Sequence, residues 1–387
     1  MKKLPGLLIL ACLLATQCQR PTLRDDIAKA LETTREQFCP DKRTCIWEVE
    51  ALRGAPFILK GKTNLPEAKH AMVQWLSEKG FPFQDSLQVL SPGFALVNVS
   101  VCNIRTEPRH SAELATQATL GTPLKVYEQQ GDWYRVQTPD QYLGWLDAGG
   151  LFPLDSQAFT RWQQAERIIV TAETSASWQN PDPESQTNAD LVSGCILEKT
   201  GESGDFFKVV FPSGGAGYVL KKHAQSLSDW KKALPSSHGP LLETAFSFMG
   251  RPYLWGGTSA KGMDCSGFTK TVFFRHSLIL PRDASQQIRA GTAVETDTSF
   301  NGLLPGDLLF FGQKADGESQ EKITHVAIYL GVGQFIHASG EVKVESLFPE
   351  APNYAANRRS SFVRARRIAL PESGLAGLDW YFLESSL

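Results

Sequence analysis

The strongest constraint on this chain is an internal repeat. The segments 131–136 (GDWYRV) and 204–209 (GDFFKV) stand 73 positions apart, and the same offset relates Gly144-Trp145-Leu146 to Gly217-Tyr218-Val219 and Gly121 to Gly194. Three anchors sharing one offset indicate two copies of one folding unit. Each copy reads as short alternating strands, with Leu124 and Val126 and then Trp133 and Arg135 in the first, divided by Gly-Asp and Pro-rich turns. That spacing suits a small all-β barrel of about 60 residues.

The two copies, assigned to residues 96–155 and 160–228, resemble bacterial SH3-type domains, which in exported proteins usually accompany cell-wall enzymes. Folds of this kind host many roles, and the second copy is expected to be a spacer. The chain has 387 residues, whereas single cores seldom grow past roughly 250, so further domains must flank the pair. Ahead of it, residues 22–95 carry apolar positions at every third or fourth place in DDIAKALETTREQF and PEAKHAMVQWLSEKG, which predicts a short helical segment without chemistry.

Behind the repeat, residues 238–370 open with the helix-like LLETAFSFMG and turn at the glycines of RPYLWGG. A second helix starts at DCSGF, with Phe268, Val272 and Phe273 at helical spacing. The rest reads as strands, LLFFG, ITHVAIYL, QFIHAS and EVKVESL, and helices followed by a strand meander predict an α+β domain. Residues 371–387 form a tail.

Cys265, in KGMDCSGFTK, stands where a turn feeds a helix, and the positive end of that helix favours a thiolate. A nucleophilic thiol needs an imidazole to take its proton and a third group to orient that imidazole. His325 lies on a strand whose side chains alternate. If Gly331-Val332-Gly333 forms a three-residue hairpin loop, Ala327 falls opposite His337, and His325 and His337 share a face as diagonal neighbours. A two-residue loop would put them on opposite faces. One Cys and two His also suit zinc, but there is no close CxxC pair or HxxxH helix pair to complete such a site, so neither metal nor cofactor is expected.

YLWGG, DCSGF, HVAIYLG and FIHAS, in this order, resemble the NlpC family of papain-like cell-wall cysteine peptidases over roughly residues 240 to 370. Two SH3-type repeats ahead of such a domain look like the γ-D-glutamyl-L-diamino acid endopeptidases, also called dipeptidyl-peptidase VI, which trim murein peptides. The resemblance implies Cys265 as nucleophile, His325 as base and His337 as the orienting third residue. It places Tyr253 near the oxyanion and Trp255, Asp264 and Ser266 at substrate contacts. It also implies a closed pocket for the free amino end of L-Ala-γ-D-Glu, with Asp283 as its carboxylate and with Glu113 and Tyr142 from the first repeat closing it. Ala327 departs from the family, which usually has glycine there. A non-catalytic cell-wall binding protein and an acyltransferase or amidase on the same fold are the alternatives.

Charge and targeting narrow the setting. With 39 basic and 41 acidic residues and no long Lys/Arg run, nucleic acid is not an expected partner. The start, MKKLPGLLILACLLATQCQR, has Lys2-Lys3 ahead of an apolar stretch shorter than the about 20 residues that span a bilayer, so residues 1–21 read as an export signal. Cys18 stands where a lipoprotein carries its lipid, although Gln17 departs from that pattern, leaving a lipid anchor and a cleaved soluble form both open. Cys39 and Cys45 could close a short loop, while Cys102 and Cys195 sit in strand-like sequence as buried small residues. The expected product is a monomeric envelope or periplasmic protein acting on peptidoglycan-derived peptides.

Overall fold

The computed structural model describes residues 23–54, 56–233, 237–317 and 319–368; the expected export signal at residues 1–21, with Cys12 and Cys18, and the tail at 371–387 lie outside the described residues. The chain divides into one unit up to Leu90 and a second from Ser91. In the first, α1 (Leu23–Phe38) and α2 (Pro66–Glu78) cover the two helical patterns, but three strands accompany them, β1 (Trp47–Leu52), β2 (Phe57–Thr63) and β3 (Phe83–Val89). β1 and β2 pair antiparallel, while β2 and β3 pair in parallel across α2. The segment is therefore a small α/β unit, not a helical one. Helices with one apolar face need a cover, and the sheet supplies it: Leu59 and Leu87 join Ile27, Ala30, Met72 and Leu76 in one core. Alternation in WEVEAL, with Trp47 and Val49 less exposed-facing than their acidic neighbours only in part, is a weak strand signal beside two strong helical ones. Cys39 and Cys45 form a disulfide with a Cα–Cα distance of 5.7 Å.

The second unit begins with the repeat. The first copy contains β4 (Gly93–Val97), β5 (Val101–Arg105), β6 (Leu114–Thr119), β7 (Pro123–Gln130), β8 (Trp133–Gln137), β9 (Leu143–Asp147) and β10 (Leu151–Leu154). After α3 (Ser156–Gln164) the second contains β11 (Arg167–Val170), β12 (Thr174–Trp178), β13 (Thr187–Val192), β14 (Ile196–Ser203), β15 (Phe206–Val210), β16 (Ala216–Leu220) and β17 (Ala224–Ser226). The spatial order is β10-β4-β7-β8-β9-β5-β6 in one and β17-β11-β14-β15-β16-β12-β13 in the other, which is the same arrangement strand for strand. The paired glycines lie at the seam between the copies. Gly121 has φ +76°, and a Cβ there would come within 1.9 Å of the Ile196 carbonyl oxygen, so no other residue fits both the turn and the contact. Ile196 N donates to Leu120 O at 2.8 Å, and Thr119 Oγ1 donates to Gly194 O at 2.9 Å.

The remaining elements are α4 (Leu227–Lys232), α5 (Gly239–Ser247), β18 (Thr258–Ser259), β19 (Gly262–Met263), α6 (Cys265–Phe274), α7 (Ala284–Gln287), β20 (Thr292–Val294), β21 (Leu308–Gln313), β22 (Lys322–Gly331), β23 (Gln334–Ser339), β24 (Glu341–Ser346), α8 (Ala356–Ser360) and β25 (Phe362–Arg367). Six strands form an antiparallel sheet in the order β20-β25-β21-β22-β23-β24. Phe310, Val326, Ile328 and Ile336 share a core with Phe268 and Val272 of α6, while Leu309, Phe311, Tyr329 and Phe335 belong to a second core with Phe300 and Leu347. Burial on both faces explains why VAIYL reads as a continuous apolar run.

In the β22–β23 hairpin, Ile328 pairs with Ile336 and Tyr329 with Phe335, the register that a three-residue loop would give. The loop itself is different. Gly331 pairs with Gln334, leaving a two-residue turn of Val332 and Gly333, and a bulge between Tyr329 and Gly331 adds back the residue that preserves the parity. Val332 (φ +49°) and Gly333 (φ +72°) both lie in the left-handed region that two-residue hairpin turns require, which is unfavourable for a β-branched side chain. Val332 is also 86% exposed, so it gains no burial in return. Val332→Asn is expected to raise the unfolding free energy by about 0.5–1 kcal/mol in urea titrations without changing activity; a loss of stability would contradict this turn geometry.

Candidate active site

Asp264 caps α6, its Oδ1 accepting from Gly267 N at 2.7 Å, and this places Cys265 as the first helical residue. The thiol is buried, in one core cluster with Val326 of β22. Val326 is the neighbour of His325, so the helix start and the strand carrying the imidazole converge. Burial, followed by the Asp264 charge, pushes the Cys265 thiol up to about 11. Both effects oppose the pull of the helix end toward a thiolate.

The two imidazoles touch directly. His325 Nε2 and His337 Nδ1 are 2.6 Å apart with their rings at 89°, and both side chains are buried. His337 Nε2 lies 3.0 Å from Glu345 Oε2, off the line of its N–H. Because a carboxylate accepts, the assigned network puts a proton on His337 Nε2, makes His337 Nδ1 an acceptor, and has His325 Nε2–H donate to it. The one free lone pair of the chain is then His325 Nδ1. Burial holds His325 well below its usual range, reinforced by the Arg358 charge, and burial lowers His337 to about 4. Both rings are neutral at physiological pH, so His325 is ready to accept a proton. The short imidazole–imidazole contact also argues against zinc, since each ring spends a nitrogen on the other.

Glu345 escapes a reading based on motifs. It sits on β24, where His337 pairs with Lys343 and Phe335 with Glu345, so the acid is a diagonal neighbour of His337 on the same face. The alternation in EVKVES carries that signal once the pairing is known.

Asp264 and Ser266 prove to be committed to the protein itself. Asp264 Oδ2 accepts from Arg282 Nη2 at 2.6 Å and from Gly256 N at 3.0 Å, and its Oδ1 from Arg282 Nη1 at 3.1 Å and Ser266 Oγ at 3.2 Å. Arg282 Nη1 also donates to Ser266 Oγ at 3.0 Å, and Arg282 Nε to Thr116 Oγ1 of the first barrel at 3.1 Å. These partners tie both side chains into one network around Arg282. Arg282, only 1% exposed, is the organising residue that the sequence reading missed. Gln287 locks the two helices, accepting from Thr269 Oγ1 at 2.7 Å and donating to Ser266 O at 3.0 Å.

The first barrel docks against this region. Gln117 accepts from Thr258 N through Oε1 at 3.0 Å, and a buried Lys270–Asp140 ion pair at 2.6 Å ties α6 to the 138–142 loop. From that loop Tyr142 Oη donates to Asp283 Oδ2 at 2.9 Å, and from the other side Trp255 Nε1 donates to Glu113 Oε1 at 2.7 Å. Asp283 directly follows Arg282, its Oδ1 3.8 Å from the guanidinium. Tyr253, held by its N–H to Gly340 O at 2.8 Å, has a phenol pushed up to about 12 chiefly by burial, with the Asp264 carboxylate adding to it, so it stays a hydrogen-bond donor.

Residues 250–359 match the NlpC/P60 family, and residues 104–151 match the bacterial dipeptidyl-peptidase Sh3 domain. A gamma-D-glutamyl-L-lysine dipeptidyl-peptidase of Bacillus cereus is 31% identical over 251 residues, covering 62% of this chain and 72% of its own. The chain belongs to the NlpC/P60 family. An SH3-like domain thus precedes an NlpC/P60 catalytic domain in a mainly sheet structure. Dipeptidyl-peptidase 6 of Lysinibacillus sphaericus is 28% identical, over 67% of this chain and 94% of its own. The crystal structure of an NlpC/P60 family protein from Bacillus cereus superposes with a TM-score of 0.60 at 26% identity, covering 71% of this chain and 99% of that one.

Two outcomes follow from the site. Arg282→Met leaves the buried Asp264 carboxylate without its cation and should cost about 3–5 kcal/mol in urea unfolding of the catalytic domain; a cost within 1 kcal/mol would show that the pair is dispensable. Because His325 must be neutral to act and its pKa is depressed, the acid limb of kcat/KM should lie below pH 6.5, and a limb at pH 7 or above would contradict the buried imidazole.

Proposed function

We propose that this NlpC/P60 protein is a cysteine endopeptidase cleaving the bond between γ-D-Glu and an L-diamino acid, Lys or diaminopimelate, in cell-wall peptides with a free N-terminal L-Ala. The observation that carries this is the junction of two carboxylates, Asp283 and Glu113, with Tyr142 and Trp255 beside the thiol-bearing helix. An ammonium ion leaving water needs carboxylate partners, and a junction closed by a second domain limits how much peptide can precede the scissile bond. The name of the Bacillus cereus relative, a gamma-D-glutamyl-L-lysine dipeptidyl-peptidase, supports the same bond type.

In this mechanism Cys265 Sγ attacks the γ-carbonyl carbon as His325 Nδ1 removes the thiol proton. The Tyr253 hydroxyl donates to the oxygen that gains charge. The tetrahedral intermediate collapses by breaking the C–N bond, and the proton on His325 passes to the departing amine, leaving a thioester. Water, deprotonated by His325, then attacks the thioester; the dipeptide leaves as a carboxylic acid and the proton returns to sulfur. His337 and Glu345 hold the His325 tautomer and offset the transient imidazolium charge.

An export signal at the N-terminus, ending either at a lipid-bearing Cys18 or in simple cleavage after residue 21, completes the proposal of an envelope protein that acts as a monomer on peptidoglycan-derived peptides. The Cys39–Cys45 disulfide suits an oxidising compartment. The mass of the mature N-terminus separates a lipidated Cys18 from simple cleavage.

On L-Ala-γ-D-Glu-L-Lys, Cys265→Ala should lose at least roughly 10³-fold in kcat. The wild-type enzyme should process the N-acetylated tripeptide at least roughly 100-fold less efficiently, since charge-assisted contacts contribute about 1.5–3 kcal/mol each. Equal turnover of the free and blocked peptides would overturn the amine-pocket assignment.

A further inference from the structure

Arg358, on α8, is half-buried, with its guanidinium carbon 5.7 Å over the ring of Phe311, the residue paired with His325 across β21 and β22. Its one directed contact is long, 3.5 Å from Nη2 to Ser339 Oγ. Among the described residues no carboxylate stands within ion-pair distance of it. Glu345, the acid that feels its charge, is already held at Oε2 by His337 and at Oε1 by Lys343, at 3.0 and 2.8 Å. Ser339 adjoins Gly340, which anchors Tyr253, and the Arg358 charge acts on Cys265, Tyr253 and His325 alike. A cation without an ion-pair partner among the described residues weakens the base at this place and costs desolvation, and an arriving anion would relieve both.

We infer that Arg358 binds the α-carboxylate of the departing diamino acid and so selects peptides that end at that residue. This rests on the peptidase reading above. The acyl side of the scissile bond points toward the amine junction built from the first barrel and α7. The departing side lies against His325, which must hand its proton to the leaving nitrogen, and the α-carboxylate of the departing residue is two bonds from that nitrogen. A planar guanidinium suits a carboxylate bidentately, and pairing would cancel the charge that holds the base down.

The test compares L-Ala-γ-D-Glu-L-Lys with its C-terminal amide and with its D-isoglutamine analogue, using wild-type enzyme, Arg358→Gln and Arg358→Lys. Wild type should prefer the acid over the C-terminal amide by roughly 10- to 100-fold in kcat/KM, as a charge-assisted contact allows. Arg358→Gln should fall on the acid to the level of the amide and treat the two alike, Arg358→Lys should retain part of the preference, and urea midpoints should match wild type. Equal use of acid and amide by wild type, equal losses on both in Arg358→Gln, or a preference that follows amidation of D-Glu instead would each overturn the inference while leaving the peptidase reading intact. Failure of that reading is a separate result, no cleavage of any of the three by wild type, and it would overturn both.

Discussion

A guanidinium as deeply buried as Arg282 is tolerated only where its donors and charge are met, and Asp264, Ser266 and Thr116 meet them from three directions. The same residue thereby fixes the cap of the nucleophile helix, the residue after the nucleophile and the edge strand of the first barrel. It also precedes Asp283, so the amine junction starts from a backbone position that the ion pair has already set. Replacing such a pair with apolar side chains often does little harm to stability, whereas removing one partner leaves a buried charge alone. The value of the pair here lies in geometry, since one buried side chain joins the helix cap, the residue after the nucleophile and the first barrel.

Copying and divergence are both visible in the repeat. The second copy keeps the strand order and the seam glycine, yet places Gln186 where the first has Glu113, Gly215 where it has Tyr142, and Ala189 where it has Thr116. The barrel is preserved while these three docking residues are replaced, and the second copy meets the catalytic domain through others, Asp190 with Lys261 at 2.9 Å and Glu173 with Arg251 at 2.8 Å. Framework and recognition are separable in this fold because the sheet depends on alternating apolar positions, whereas recognition depends on a few loop and edge side chains.

Much of this was legible in the sequence for physical reasons. Strands have a period of two, so the shared face of His325 and His337 follows from residue numbers once the parity of a three-residue hairpin loop is assumed, and the repeat follows from three anchors at one offset. Arg282 and Glu345 were not legible, because their partners come from segments whose pairing the sequence does not state. β1, β2 and β3 were missed beside helices with a stronger periodic signal. The thiol's surroundings were not legible either, since the helix end can be read from DCSGF whereas the burial and the Asp264 carboxylate that oppose it can be read only from the fold.

The bulge before Gly331 carries a further consequence, for how this chain tolerates insertions and deletions. A hairpin that connects two structural strands can gain or lose a single residue at its tip by adjusting the turn. Here the two-residue turn and the added residue beside it jointly decide which face His337 occupies, so a net change of one residue separates the imidazoles and a net change of two restores them. Length variation among descendants of this chain should therefore run in even steps at this hairpin, although its tip is among the most exposed points of the molecule.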